Sequence, residues 1–365
     1  MIKRVLPTVI KLFPLTEKKT LVILTPGFAK DEEDSTCIPM QQSFLRTIKK
    51  NYPHLNIIVL AFQYPYHANK YEWHSMTVIP FNGRNKGGLR KFFLFRKIYS
   101  VLRSIHRENK IDAILSFWYN ECGIAGKRFG DKHRIKHLCW VWGQDARNMN
   151  KYPRKLKPSA NELVTLSDFL QDEFEKNHSV RPFSVVPPGI DSDLYSSPPA
   201  EKDIDIIAAG SLIPLKRYDL FIDLIAEIKK KIPGIKARLI GNGPERQRIE
   251  RLIHASDLQH NITLSNELSH TELLKQMQRA KVFLHTSSFE GFGIVCIEAL
   301  QAGAHVISFT KPMKAEIPHW EIAVDINDMV EKVLIILSDP PADHSSITPF
   351  TIKASAEKMI NLFAL

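Results

Sequence analysis

The chain has 365 residues, 44% of them hydrophobic and 24% charged, a composition that excludes disordered, collagenous and fibrous classes. This length exceeds one core and points to two domains of roughly 100–200 residues each, while no apolar run approaches the ~18 residues that cross a bilayer. The net charge is +11, from 50 Lys+Arg against 39 Asp+Glu; residues 1–185 carry 31 basic and 16 acidic residues and residues 186–365 carry 19 and 23, so the whole excess lies in the first half.

Met1–Lys19 holds Lys3, Arg4, Lys11, Lys18 and Lys19, but Pro7 and Pro14 interrupt it and no small-residue cleavage site follows. No secretory signal is expected. Apolar runs then predict strands at Thr20–Thr25, Asn56–Ala61, Ala113–Phe117, His137–Val141, Leu163–Leu166 and Ser184–Val186. Amphipathic patterns predict helices between them, near Pro39–Lys50, Arg96–Arg107, Gly123–Phe129 and Asp168–Asn177. Within this half, residues 73–107 hold eight Lys/Arg and no Asp or Glu. There Phe92, Phe95, Tyr99 and Leu102 recur at helical spacing among Arg90, Lys91, Arg96, Lys97 and Arg103. The pattern suits a helix lying on an anionic membrane surface; it equally suits a core-packing helix with a solvated basic face. No nucleic-acid-binding motif is present.

After Pro187-Pro188-Gly189-Ile190-Asp191 and Ser196-Ser197-Pro198-Pro199, the best linker in the chain, the alternation starts again. Strands are predicted at Asp205–Ala208, Lys236–Ile240, Ile262–Leu264, Val282–His285 and His305–Ser308, with helices near Tyr218–Lys230, Pro244–His254, Ser269–Arg279 and Gly293–Ala302. Two sets of βαβ alternation imply an α/β chain of two doubly wound domains, each a parallel sheet with helices on both faces. Ligands of such sheets bind outside the carboxyl ends of the strands, and facing domains leave a cleft.

The residues just after strands therefore carry the chemistry. Ser287 through Leu300 follows a strand and opens a helix. Gly291 and Gly293 allow close backbone approach. The free amides near Gly293, Ile294 and Val295 suit phosphate oxygens, helped by the helix dipole. Glu290 precedes the helix and Glu298 lies inside it, so two carboxylates flank an amide-rich turn. A capping glutamate on a glycine-rich turn would read the same way. Gly210-Ser211-Leu212-Ile213-Pro214-Leu215-Lys216-Arg217 also follows a strand, and Lys216 puts a compact cation where a diphosphate fits. Gly241-Asn242-Gly243-Pro244 begins like a dinucleotide fingerprint, but Arg246 replaces the third glycine, so an NAD site is disfavoured. In the first half, Gly27 ends the first strand. Trp118, Tyr119, Asn120 and Glu121 follow the third strand, and Asp145 follows Trp142 after a later one. The cysteines at 37, 122, 139 and 296 form no C-x-x-C pair, which fits a reducing cytosol. No histidine motif suggests a metal and no G-x-S-x-G elbow suggests a hydrolase.

Together these segments resemble the retaining glycosyltransferases of the GT-B fold, the group 1 family that uses nucleotide-sugars. Glu290 and Glu298, with Gly291-Phe292-Gly293 between them, match its E-x7-E motif. Gly210 through Lys216 match its diphosphate loop; Gly241 through Pro244, Val186 through Asp191 and Thr165 through Asp168 match further segments. The resemblance is specific over residues 160–310 and weaker over 20–150. It implies that Glu290 contacts the donor sugar, Glu298 the ribose and Lys216 the diphosphate, with Gly27 beside that diphosphate. Two departures stand out. Ser211 occupies the place of an arginine, a charge that Arg217 would supply, and the histidine that many members carry near Trp142 is missing, so that either Asp145 takes the sugar contact or the contact is absent. Trp118 would line the acceptor side. The resemblance also implies an acceptor-side domain over 1–187, a nucleotide-sugar domain over 188–350 and a C-terminal helix over 351–365 packing back on the first domain. The expected partners are a UDP- or GDP-sugar and a glycan or lipid-linked acceptor of polysaccharide or envelope synthesis, with an anionic membrane surface at its inner face and no nucleic acid. No cofactor or metal is expected. A non-catalytic nucleotide-sugar binder is the alternative, and an epimerase on a similar fold lacks placeable acid/base residues.

Overall fold

The computed structural model describes residues 18–195, 201–338 and 343–365. The basic stretch before Lys18 and the Ser196-to-Pro199 part of the linker lie outside them. The first half contains β1 (Thr20–Gly27), α1 (Pro39–Asn51), β2 (Asn56–Tyr64), β3 (Tyr71–Trp73), β4 (Met76–Pro80), α2 (Gly88–Asn109), β5 (Ile111–Phe117), α3 (Glu121–His133), β6 (Lys136–Val141), α4 (Tyr152–Leu156), β7 (Leu163–Thr165), α5 (Asp168–His178) and β8 (Ser184–Val185). The sheet runs β3-β4-β2-β1-β5-β6-β7-β8, and only β3 lies antiparallel to its neighbour. Leu21 through Leu24 on β1 are fully buried. A continuous aliphatic run of this kind is what a central parallel strand covered on both faces requires.

The second half contains β9 (Ile204–Ala209), α6 (Tyr218–Lys229), β10 (Ala237–Ile240), α7 (Arg246–Ala255), β11 (Ile262–Ser265), α8 (His270–Gln278), β12 (Ala280–His285), α9 (Ile294–Gln301), β13 (His305–Ser308), β14 (Trp320–Ile322), α10 (Ile326–Ser338) and α11 (Ile352–Phe363). Its six-stranded parallel sheet runs β11-β10-β9-β12-β13-β14. Two Rossmann-like sheets with helices on both faces make this a GT-B fold.

Strand order reverses beside β1 in the first sheet and beside β9 in the second. These topological switch points open crevices at the carboxyl ends of β1 and β5 and of β9 and β12. Helix α11 returns to the first sheet's side. Ile352 N donates to Ile190 O at 3.0 Å, Ser355 Oγ donates to Pro187 O at 2.7 Å, and the Thr351 hydroxyl caps the helix by accepting from Ala354 N at 3.2 Å. The expected linker at Ile190 is thus pinned by a backbone pair.

Helix α2 differs from its expected packing. The buried row is Leu94, Ile98, Leu102 and Ile105, spaced by three or four residues as a core face must be. Phe95 and Tyr99 are only partly covered. Phe92 stands outside the row, 56% exposed, beside Phe93 at 62% and Leu89 at 77%. Sequence periodicity misses this because the helix starts eight residues earlier than expected, at Gly88, and residues 88–93 bury no side chain. The short elements β3, β4, α4 and β14, and helix α10, are also additions to the sequence reading.

Candidate active site

Because β9 and β12 are neighbours, the loops that leave them meet. The first forms a single helical turn at Pro214–Lys216. The second runs from Thr286 to Gly293. One backbone and one side-chain bond lace the two together: Ser288 N donates to Leu215 O at 3.0 Å, and Thr286 Oγ1 donates to Lys216 O at 2.8 Å. Held this way, Lys216 Nζ donates to Glu290 Oε2 at 2.6 Å. His285, the last residue of β12, puts Nε2 at 3.4 Å from the same oxygen. Burial alone would raise the Glu290 pKa, but the His285 contact and the Lys216 charge outweigh it and bring the carboxyl down to about 2. Glu290 is therefore anionic at neutral pH. Burial holds the His285 imidazole below its ordinary value, against the pull of Glu290.

Gly293 precedes α9 with φ 82°, the left-handed region that glycine enters without steric cost. That turn aims the first amides of α9 at the space beside Lys216, where the helix dipole favours an anion. Glu298 sits one turn further in, and His270 Nε2 lies 2.7 Å from its Oε1. The Glu298 hydrogen bond raises the His270 pKa, against the opposing effect of burial.

The first domain closes the other side. A Cβ on Gly291 would lie 2.9 Å from Gly143 Cα, so two glycine backbones touch where the domains meet. Ser167 acts on both domains. Its hydroxyl accepts from Leu170 N at 3.0 Å, capping α5, and donates to Gly291 O at 2.6 Å. A cavity of about 450 Å³ opens beside this contact, and Gly210, Ser211, Lys216, Glu290, Gly293 and Glu298 line it. A second space of about 260 Å³ shares Gly210, Ser211 and His270 and continues past Gly241 and Asn242.

The cavity thus brings together most of the sequence-derived residues, with Gly291, Phe292 and Ile294 also on its wall and Gly241 beside it. Four residues sit elsewhere. Gly27 packs against Cys37 and Tyr64, beneath the fully buried Phe28 and Ala29, and is absent from the cavity lining. Arg217 turns away and pairs with Asp219, its Nη2 3.0 Å from Oδ2, so it does not supply the charge missing at Ser211. Asp145 is buried, and its Oδ2 accepts from Tyr119 N at 2.8 Å and Trp142 N at 2.9 Å; it holds two strand-end turns rather than facing a sugar. Burial pushes its pKa up to about 7, against those two bonds. Trp118 lines a different cavity and stacks on Trp142 with centroids 5.0 Å apart. Sequence reasoning missed His285, His270, Gly143 and Ser167. His285 was findable as a strand-end residue ahead of the motif, and Ser167 lies in the Thr165-to-Asp168 segment already singled out; His270 and Gly143 act across the chain, and no local pattern marks them.

Among the described residues no group of three or more His, Cys, Asp or Glu is placed to hold a metal ion, and all four cysteines are free. No described helix is long and apolar enough to cross a membrane.

Comparison with known proteins places the family match on the second half of the chain. Residues 191–348 match the family described as "Glycosyl transferases group 1". An uncharacterized glycosyltransferase of Methanocaldococcus jannaschii is 24% identical over 217 residues, 58% of this chain and 59% of its own length. The gpi3 subunit of phosphatidylinositol N-acetylglucosaminyltransferase of Schizosaccharomyces pombe is 30% identical over 59% of this chain and 50% of its own length. The GtfA subunit of the UDP-N-acetylglucosamine–peptide N-acetylglucosaminyltransferase of Streptococcus pneumoniae is 28% identical over 40% of this chain and 29% of its own. The chain therefore spans between 29% and 59% of the length of these relatives. A solved glycosyltransferase from Rickettsia africae superposes with TM-score 0.70 at 13% identity over 94% of this chain and 98% of its own. Anabaena HepE in complex with UDP and glucose gives 0.64 at 16% identity over 94% and 95%. The two superpositions share the fold, and the segment that matches the glycosyl transferases group 1 family, residues 191–348, contains both loops of the cavity.

Proposed function

We propose that the chain is a retaining glycosyltransferase, moving a sugar from a nucleotide-diphosphate-sugar to a hydroxyl of a glycan or lipid-linked acceptor. The observation that carries this reading is the Lys216–Glu290 pair, 2.6 Å apart in a cavity at the amino end of α9. Lys216 and the amides at Gly293, Ile294 and Val295 meet the diphosphate and stabilise the charge that grows on it as the sugar leaves. Glu290, already anionic, accepts from the sugar hydroxyls and orients the ring. Glu298, steadied by His270, takes the ribose; Gly210, Ser211 and Gly241 let the nucleotide lie close to the backbone. The acceptor oxygen attacks the anomeric carbon on the face the diphosphate leaves. The carbon–oxygen bond to the diphosphate breaks, and a departing phosphate oxygen takes the acceptor's proton. In this reading protein cations and amides carry the charge, without a metal.

The division of labour is residues 1–187 on the acceptor side, 188–350 on the donor side and 351–365 returning to the first. The exposed Leu89, Phe92 and Phe93, set in a stretch with eight Lys/Arg and no acid, support peripheral attachment to an anionic leaflet, as envelope or lipid-linked synthesis needs. Relatives are named for N-acetylglucosamine transfer and HepE is described with UDP and glucose, so UDP-sugars are the first donors to test.

A thermal-shift screen of UDP-, GDP- and ADP-sugars, followed by detection of free nucleoside diphosphate, tests the reading. Stabilisation with turnover supports it. Stabilisation without turnover supports a non-catalytic binder, the reading that Ser211 in place of a loop arginine favours. No stabilisation by any nucleotide-sugar contradicts both.

A further inference from the structure

A separate cavity of about 910 Å³ lies wholly on the first domain, lined by Lys91, Arg147, Lys151, Lys155, Trp118 and Tyr152 among others. It adjoins the donor cavity along the chain. Ile38 lines one and Pro39 the other; Gln144 lines one and Gly143 the other. Between them stand two stacked indoles: Trp118 on the wall of the basic cavity and Trp142 on the wall of the donor cavity, centroids 5.0 Å apart. Trp118 has φ 68°, an uncommon conformation for so bulky a residue, and Trp118 N donates to Trp140 O at 3.1 Å.

The charges in the basic cavity are unbalanced. Lys91 is occupied by Glu121, which also accepts from Tyr152 Oη at 2.6 Å. Among the described residues Arg147, Lys151 and Lys155 have no ion-pair partner; the Arg147 guanidinium lies over Phe289 at 5.5 Å from the ring centroid. Asp145 is the one carboxylate on the wall, and its Oδ2 is spent on two backbone amides. Three unpaired cations beside an aromatic wall exceed what a single carboxylate would balance. They suit a phosphate ester or diphosphate, which carries about two charges or more and which an arginine fork can grip with two parallel hydrogen bonds.

We infer that this cavity binds a phosphate group carried by the acceptor, set one stacked indole pair away from the reacting hydroxyl. The word acceptor rests on the transferase reading above; the anion site itself rests on the charge and the wall. The donor phosphates belong to the cavity of Lys216, so the two anion sites are occupied together.

The test is calorimetric titration of the full chain, saturated with UDP, with inorganic pyrophosphate. The expected result is binding in the wild type and a loss of about tenfold or more in the Lys151→Glu/Lys155→Glu variant, with UDP affinity as the control. Both lysines are exposed, and the neutral Lys151→Gln/Lys155→Gln variant, with a smaller loss of the same sign, guards against a folding artefact. Glycerol phosphate and dioctanoyl phosphatidic acid then separate the two sources of phosphate. Equal affinities indicate a soluble phosphate ester, and tighter binding of the lipid that is lost in Phe92→Asp/Phe93→Asp indicates a membrane-borne one; each supports the site. Wild-type pyrophosphate affinity in the Lys151→Glu/Lys155→Glu variant overturns it. Failure of the wild type to bind UDP overturns the transferase reading instead. The pyrophosphate comparison is then made in a Lys216→Ala background, where an unchanged affinity on charge reversal still overturns the anion site.

Discussion

Lys216 Nζ and Glu290 Oε2 lie 2.6 Å apart although 74 positions separate them in the chain. Their meeting is a product of topology. β9 and β12 pair in parallel, so the loops at their carboxyl ends share one crevice, and their backbones are bonded before the side chains meet. The pair is partly buried, and removing one member of such a pair leaves the other without its compensating charge. A diphosphate entering beside Lys216 would share that cation with Glu290, coupling donor position to sugar orientation.

Lys216→Ala and Glu290→Ala are each expected to cut transfer at least ~100-fold, the order found for losing one group that meets developing charge. Initial rates of nucleoside diphosphate release, with folding checked by circular dichroism, measure this. Near-wild-type rates in folded variants would remove both residues from the mechanism.

Ser211 lies exposed on the cavity wall, three residues before the turn that ends in Lys216, and Arg217 is engaged by Asp219. Ser211→Arg should therefore tighten UDP binding by about 1.5–3 kcal/mol, the contribution of one charge-assisted hydrogen bond. Unchanged or weaker binding in a folded variant would mean that position 211 does not face the diphosphate.

Two carboxyls should drive stability in opposite directions with pH. The Glu290 pKa falls from 4.5 to about 2 on folding, so its contribution is present above pH 4.5 and is lost as the pH drops toward 2. The Asp145 pKa rises from 3.8 to about 7, so its contribution is full below 3.8 and is lost as the pH climbs through 7. Thermal midpoints across pH 2–8 should show Glu290→Gln flattening the acid limb and Asp145→Asn flattening the slope toward neutrality. Asp145→Ala leaves two buried amides unpaired and should cost about 1–3 kcal/mol for each. An Asp145→Asn curve parallel to the wild type would contradict the burial argument.

Much of this was legible in the sequence. The run Leu21 through Leu24 and its counterparts in the second half marked central strands, because fully buried strands are aliphatic on both faces. Glu290, Gly293 and Lys216 were legible because a strand-to-helix turn concentrates chemistry into a few adjacent residues. What the sequence pattern did not show was which partner each polar side chain takes. Arg217 read as a free cation until Asp219 was seen to hold it, and Asp145 read as a sugar contact until its carboxylate was seen to hold two strand-end turns. Gly27 ended its strand as expected, but residues 28–38 fold over it. The α2 stripe held at Leu102 and in part at Phe95 and Tyr99 but not at Phe92: periodicity gives a helix's spacing, whereas which turns are buried depends on what packs against them.

The first turns of α2 hold Leu89, Phe92 and Phe93 in solvent among Arg90, Arg96 and Lys97. Each Lys or Arg near an anionic leaflet contributes ~1 kcal/mol, so the three suffice for reversible attachment. Vesicles containing phosphatidylserine should sediment the wild type at low salt and release it as salt screens the charges. Phe92→Asp/Phe93→Asp and Arg90→Glu/Arg96→Glu/Lys97→Glu should each lose most of that binding. Equal binding to neutral vesicles, or wild-type binding by both variants, would leave α2 as a solvated core helix.

If Lys216 and the amino end of α9 hold the diphosphate of a nucleotide-sugar, nucleotide affinity depends on Lys216. Calorimetric titration of the full chain with UDP and GDP, in wild type and in Lys216→Ala, addresses it most directly. The expected result is one-to-one binding of at least one nucleotide and a loss of about tenfold or more in the variant, the scale of one charge-assisted contact. Equal affinity in the two proteins, or no binding of either nucleotide to the wild type, would contradict it.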